Sequence, residues 1–143
     1  MDQPADLIRK FYAAFQRRDH AAMAACYAPD ATFSDPVFPA LQGPAIGAMW
    51  RMLCERGTDL RIEASGIAGD STHGRARWEA WYSFSATGRR VHNIITASFT
   101  FRDGLIQYHT DSFDLYRWAR QALGLKGLLL GWAPPVQGAV RAQ

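Results

Sequence analysis

The fold is decided by residues 90–113, Arg90-Val91-His92-Asn93-Ile94-Ile95-Thr96-Ala97-Ser98-Phe99-Thr100-Phe101-Arg102-Asp103-Gly104-Leu105-Ile106-Gln107-Tyr108-His109-Thr110-Asp111-Ser112-Phe113. The stretch reads as two antiparallel strands, Arg90 to Phe101 and Leu105 to Phe113, joined by the turn residues Arg102-Asp103-Gly104. Upstream, Leu60, Ile62 and Ala64 alternate with polar neighbours, which begins the period of two. Gly69-Asp70-Ser71 turns the chain into a strand over Thr72 to Ala86, and Thr87-Gly88 turns it into Arg90. Four long antiparallel strands are expected.

The first half has the other period. Leu7, Ile8, Phe11, Ala14 and Phe15 make one apolar stripe on a helix from Pro4 to Arg18, with Pro4 suited to its first turn. Asp19 is placed to cap a second helix that turns Met23, Cys26 and Tyr27 inward and stops at Pro29. Ala31 to Asp35 then alternates, Phe33 and Asp35 facing one way, and Pro36 ends it as a short edge strand. Ile46, Met49, Trp50, Leu53 and Cys54 define a third helix from Pro44 that Gly57 terminates. Helices grouped before a meander imply an α+β fold with the helices covering one face of a curled sheet. A last helix, Leu115 to Leu123, ends at Gly124 with Asp114 as its cap. The expected organisation is a domain over residues 1–124 and an apolar tail over 125–143 that packs on the domain or on a second subunit.

With 143 residues, 48% hydrophobic and 13% aromatic, the chain suits one well-buried core. Its formal charge of +3 comes from arginines scattered along the chain rather than gathered on a stripe, which argues against nucleic acid. No apolar run approaches the ~20 residues that span a bilayer. The first residues lack a basic region followed by an apolar one, so a cytoplasmic location without membrane contact is expected. Cys26 and Cys54, both among apolar helix residues and without CxxC or Cys/His spacing, read as buried free thiols.

The order of elements, with Asp30-Ala31-Thr32-Phe33-Ser34-Asp35-Pro36 after the second helix, resembles the nuclear transport factor 2-like superfamily, nearest its SnoaL-like and ketosteroid-isomerase-like members. The resemblance runs from about Leu7 to Leu123. It implies a cystatin-like α+β cone, three N-terminal helices packed on a curled antiparallel sheet around an apolar cavity, and a homodimer. In ketosteroid isomerases the aspartate before proline is the general base, and Asp35 matches it. The tyrosine and aspartic acid of their oxyanion hole align with Phe11 and Ala97 here, with Tyr12 adjacent to the first. Limonene-epoxide hydrolases and SnoaL-like cyclases carry an acid/base aspartate in a segment resembling Tyr108-His109-Thr110-Asp111-Ser112-Phe113-Asp114-Leu115, and Asp111 matches it. The hydrolases' Arg-x-Asp pair has the spacing of Arg77-Trp78-Glu79, but direct alignment puts Trp78 and Ala80 in the functional places.

Asp35, Asp111 and His109 are therefore the expected catalytic groups. His109 and Asp111 stand two apart on a strand and share a face. A His–Asp pair facing Asp35 could divide the roles, one group taking a proton while another returns it. If Asp111 instead faces water, the pair belongs to a polar stripe on an edge strand. Tyr12, Phe33, Trp50, Trp78, Tyr82, Asn93 and Ala97 are the expected substrate contacts, Asn93 because it shares parity with Ala97. Tyr27 is expected to pack with its hydroxyl reaching water, and His92 to lie on the outer face. No metal signature and no glycine-rich phosphate loop is present, so neither metal nor cofactor is expected. The implied activity is cofactor-independent acid–base chemistry, as isomerase, cyclase, dehydratase or epoxide hydrolase, on a small hydrophobic carbonyl, epoxide or polyketide-like substrate. The alternative is a non-catalytic ligand-binding or dimerisation module of the same fold.

Overall fold

Two apolar stripes and a hairpin-rich second half leave one economical arrangement, helices on one face of a sheet. The computed structural model, which describes residues 3–124, has that architecture. Helices α1 (Gln3–Gln16), α2 (His20–Ala24) and α3 (Pro44–Arg56) precede the long strands β3 (Arg61–Gly69), β4 (His73–Ser83), β5 (Arg90–Arg102) and β6 (Leu105–Ser112). Strand β1 (Tyr27–Ser34) and the two-residue β2 (Leu41–Gln42) lie between the helices, and α4 (Leu115–Leu123) follows the sheet. The expected apolar tail over 125–143 lies outside the described residues.

The six strands form one curled, unclosed sheet in the order β2-β1-β6-β5-β4-β3. Every neighbouring pair is antiparallel except β1–β6, which runs parallel. Ile8, Phe11 and Phe15 of α1 and Ile46 and Trp50 of α3 meet Ile62, Trp78, Ile95, Phe99 and Ile106 of the sheet in one core. A smaller cluster joins Leu115, Trp118 and Ala119 of α4 to Val37, Phe84 and Val91. Among the described residues no helix is long and apolar enough to cross a membrane.

Three local expectations are corrected. The second helix stops at Ala24, so Cys26 lies in the turn that follows and Tyr27 opens β1 instead of closing a helix. Pro29 sits inside β1, in the stretch between Tyr27 and Thr32 where the register with β6 shifts. Lacking an N–H, proline fits such an irregularity without breaking a ladder bond. Nor is β1 an edge, because Thr32 and Phe33 pair with Gln42 and Leu41 of β2. The same topology moves β6 into the sheet, between β1 and β5. Both cysteines are buried and free.

Helix α4 is held from its start. Asp114 Oδ1 accepts the Arg117 amide at 3.0 Å, and Gly124 takes φ 74° at the C-cap, where a side chain would be strained. Replacing Asp114 by Ala is expected to lower stability by about 1 kcal/mol in urea titrations, with Asn nearly neutral because its carbonyl still caps. Equal stability of the three proteins would show that this cap does not anchor α4.

Candidate active site

Asp35 and Asp111 are 76 positions apart in sequence, yet the parallel register of β1 and β6 brings them together. Phe33 pairs with His109 and Ser34 with Thr110; one residue further, Asp35 follows Ser34 as Asp111 follows Thr110. Neighbouring strands run about 4.8 Å apart, so the backbone brings Asp35 and Asp111 close where β1 ends, and both side chains line one cavity. Strand parity turns Phe33, His109 and Asp111 inward, at 1%, 1% and 3% exposure, while Tyr108 and Thr110 face water. The polar stripe on an edge strand is thereby excluded for His109 and Asp111.

Asp35 caps a turn and lines a cavity at once. Its Oδ1 accepts the amides of Val37 and Phe38 at 2.7 and 2.6 Å, and its own amide donates to the Phe38 carbonyl. Both bonds fall on one oxygen. Burial pushes the Asp35 carboxyl up to about 6 against the pull of the Phe38 and Val37 amides, and the Asp111 charge adds to the rise.

Asp111 is held from behind. Its Oδ1 lies 2.8 Å from His109 Nε2 and 3.4 Å from Trp78 Nε1. His109 Nδ1 lies 2.8 Å from the Tyr27 hydroxyl, whose oxygen accepts the indole N–H of Trp50 at 3.0 Å. The imidazole is boxed by Phe99, Phe33 and Phe11, with ring centres 4.3, 4.9 and 5.8 Å away.

In front of the carboxylates is a cavity of about 110 Å³ between α3 and strands β4–β6, walled by apolar groups such as Phe15, Leu53, Ile95 and Phe113. Trp50, Trp78, Tyr82 and Asn93 line it together with Asp35 and Asp111. Asn93, only 7% exposed, makes no side-chain hydrogen bond among the described residues. The Tyr82 hydroxyl is already engaged, accepting the Trp118 indole N–H at 2.7 Å. A more open cleft bounded by Ser34, Pro36, Thr110 and Ser112 reaches the same two carboxylates. Among the described residues, no three His, Cys, Asp or Glu side chains are grouped to hold a metal ion.

The remaining expected contacts lie behind this wall. His109 is sealed beneath Asp111 and does not line the cavity. Phe33 packs edge-on to His109 and Trp50. Ala97 sits opposite Asp111 in the β5–β6 register, where its methyl leaves room for the acid. Tyr12 packs against Phe11 with its hydroxyl buried and unpartnered; burial first, then the Asp111 charge, pushes its phenol well above the usual range. On the outer face, His92 stacks on Trp81 at 4.7 Å and meets Glu79 at 3.0 Å. Arg77 and Glu79 point there too, because Trp78 between them turns inward. The spacing that resembled a hydrolase Arg-x-Asp pair is therefore spent outside the cavity. Tyr27 reverses its expectation, since its hydroxyl is buried against His109 rather than wet. No local signal links residues 82 apart; only the β1–β6 pairing does.

A family model for the SnoaL-like domain matches residues 8–109. A solved nuclear transport factor 2-like protein of unknown function from Burkholderia pseudomallei superposes with a TM-score of 0.76 at 19% identity, covering 86% of this chain and 99% of that one. A Xanthomonas campestris protein, provisionally described as a polyketide cyclase, gives 0.69 at 25% identity over 83% and 96%. An epoxide hydrolase of M. tuberculosis, similar to limonene-epoxide hydrolase, gives 0.65 at 21% identity over 94% and 95%. None of the curated proteins matches the sequence.

The raised Asp35 carboxyl carries a pH signature. In the unfolded chain the group ionises near 3.8, in the fold near 6, so native stability is favoured below about pH 4 and lost as pH rises through about 6. Asp35→Asn keeps the Oδ1 acceptor for the turn and removes the ionisation. Denaturant melts should show the variant gaining up to about 2–3 kcal/mol over the parent at pH 7.5 and nothing at pH 4. A pH-independent difference would overturn the raised carboxyl.

Proposed function

This chain belongs to the SnoaL-like domain family, and we propose that it is a cofactor-independent acid–base enzyme for a small, largely apolar carbonyl, epoxide or polyketide-like substrate. One observation carries the reading: two carboxyl groups, each following the Ser34–Thr110 pair of β1 and β6, face one apolar cavity from unlike surroundings. Two carboxyl groups in unlike surroundings can divide the work of acid and base. Asp111, which accepts from His109 and Trp78, takes the proton. Asp35, whose carboxyl is raised, holds one to give.

The protons balance for two reactions of this class. In an enolisation, the Asp111 carboxylate takes the proton beside the carbonyl, and the C–H pair becomes the C=C bond. The carbonyl π pair moves to oxygen, which accepts from the Asp35 hydroxyl or the Asn93 amide; return of the proton at another carbon completes an isomerisation. In an epoxide opening, Asp111 takes a proton from water as its oxygen bonds to carbon, the ring C–O bond breaks, and Asp35 protonates the leaving oxygen. The dry aromatic wall strengthens each of these contacts.

A binding module without turnover draws support from a different observation. Phe11 and Ala97 supply no hydrogen-bond donor where isomerases stabilise an oxyanion, and Arg77 and Glu79 lie outside the cavity.

The two readings part in a simple assay. The chain is incubated with 2-tetralone in deuterated buffer and, separately, with styrene oxide, following deuterium uptake and diol formation. We expect acceleration of one of the two reactions, lowered about 10²-fold or more by Asp111→Asn. The rate should fall above about pH 6 as Asp35 loses its proton, and Asp35→Asn should remove that descending limb. Carboxyl chemical shifts that respond to 2-tetralone, with no acceleration of either reaction, would replace the enzyme with the binding module.

A further inference from the structure

We infer that Tyr27 is a positioning residue, which places the imidazole proton of His109 on Nε2 and thereby turns a ring N–H donor, rather than a bare ring nitrogen, toward Asp111. The inference rests on the acid–base reading of the site and adds to it the group that assigns the roles.

An indole N–H can only donate, so the Tyr27 oxygen, 3.0 Å from Trp50 Nε1, accepts. The phenol must then send its own hydrogen elsewhere, and the partner in reach is His109 Nδ1 at 2.8 Å. That nitrogen is therefore bare, and the ring proton sits on Nε2, 2.8 Å from Asp111 Oδ1. Trp78 sends a second N–H toward the same oxygen at 3.4 Å. Asp111 Oδ1 is thus an acceptor, as Asp35 Oδ1 is toward its two backbone amides; what sets Asp111 apart is that one of its donors, the His109 ring N–H, is present only in the tautomer Tyr27 selects.

The reverse arrangement fails at the phenol. With a proton on Nδ1 pointing at the Tyr27 oxygen, the phenol hydrogen would be stranded among Phe11, Trp50 and the stacked imidazole. A stranded buried donor disfavours that state by roughly one to two orders of magnitude. The chain from α3 through β1 to β6 thus runs one way, beginning at a donor-only indole and ending at a carboxylate.

The titratable groups around this chain are Tyr27 of β1, Asp111 of β6, Tyr12 of α1 and Asp35 after β1. Burial holds both phenols well above the usual range, with the Asp111 charge adding to each, so neither competes for the proton near neutrality. That leaves Asp35 to answer the charge on Asp111.

The test uses the full chain and no substrate, so its outcome is separate from that of the enzymatic assay. Long-range proton–nitrogen spectra of histidine-labelled protein at pH 7 read the His109 ring, assigned by its loss in His109→Gln. We expect a protonated Nε2 and a bare Nδ1. In Tyr27→Phe the ring should populate the other tautomer or a second proton, and the Asp35 carbon-13 titration midpoint should fall from about 6 as the neighbouring negative charge is reduced. A purely structural role would leave that midpoint in place. Should Tyr27→Phe not fold, Trp50→Phe frees the phenol oxygen to accept and should move both readouts the same way by less. A protonated Nδ1 in the parent, or a folded variant with both readouts unchanged, overturns the inference.

Discussion

The candidate site depends on one pairing, the parallel contact of β1 with β6. It is the only pairing in the described sheet that does not follow from a hairpin. Its register sets Phe33 beside His109 and carries Asp35 alongside Asp111. A slip of one residue would turn Phe33 and Asp35 to the other face, exposing a large aromatic ring and separating the acids. The apolar contacts of Phe33 with Trp50 and His109 therefore do more than fill space. They lock the register that makes a pair of carboxylates.

The hairpins, the stripe of α1, the third helix and the cap of α4 were legible in the sequence because each is a local pattern. Periods of two and 3.6, turn residues and caps operate within a dozen positions. Parity also showed that His109 shares a face with Asp111, and Asn93 with Ala97, though not that the first pair faces inward. Three features were not legible. Pro29 reads as a helix stop by local rules, yet here it fits a strand irregularity that exists only because β6 lies alongside. The two-residue β2 has no periodicity to detect. Tyr27 looked like one more packed aromatic, since its partner His109 becomes a neighbour only after the sheet is assembled.

The polar groups behind Asp111 show how a core this aromatic can hold a carboxyl group. Each buried donor of the chain from Trp50 through Tyr27 to His109 has an acceptor, so the carboxylate is stabilised without leaving orphans of its own. Tyr12 is the exception, with a hydroxyl that is buried and unpartnered. An unmet donor of this kind costs about 1–3 kcal/mol, which the surrounding aromatic contacts must offset.

The same asymmetry separates what the fold provides from what this chain adds. Cavities walled by a curled sheet and helices belong to the architecture and serve many purposes. The unlike surroundings of the two acids belong to this sequence. Asp35 takes its hydrogen bonds from backbone amides of a turn that Pro36 begins, and its partner is a like charge. Asp111 takes its bonds from side chains on two strands. Exchanging the supports would exchange the roles, because the carboxyls are chemically identical and only their surroundings distinguish acid from base.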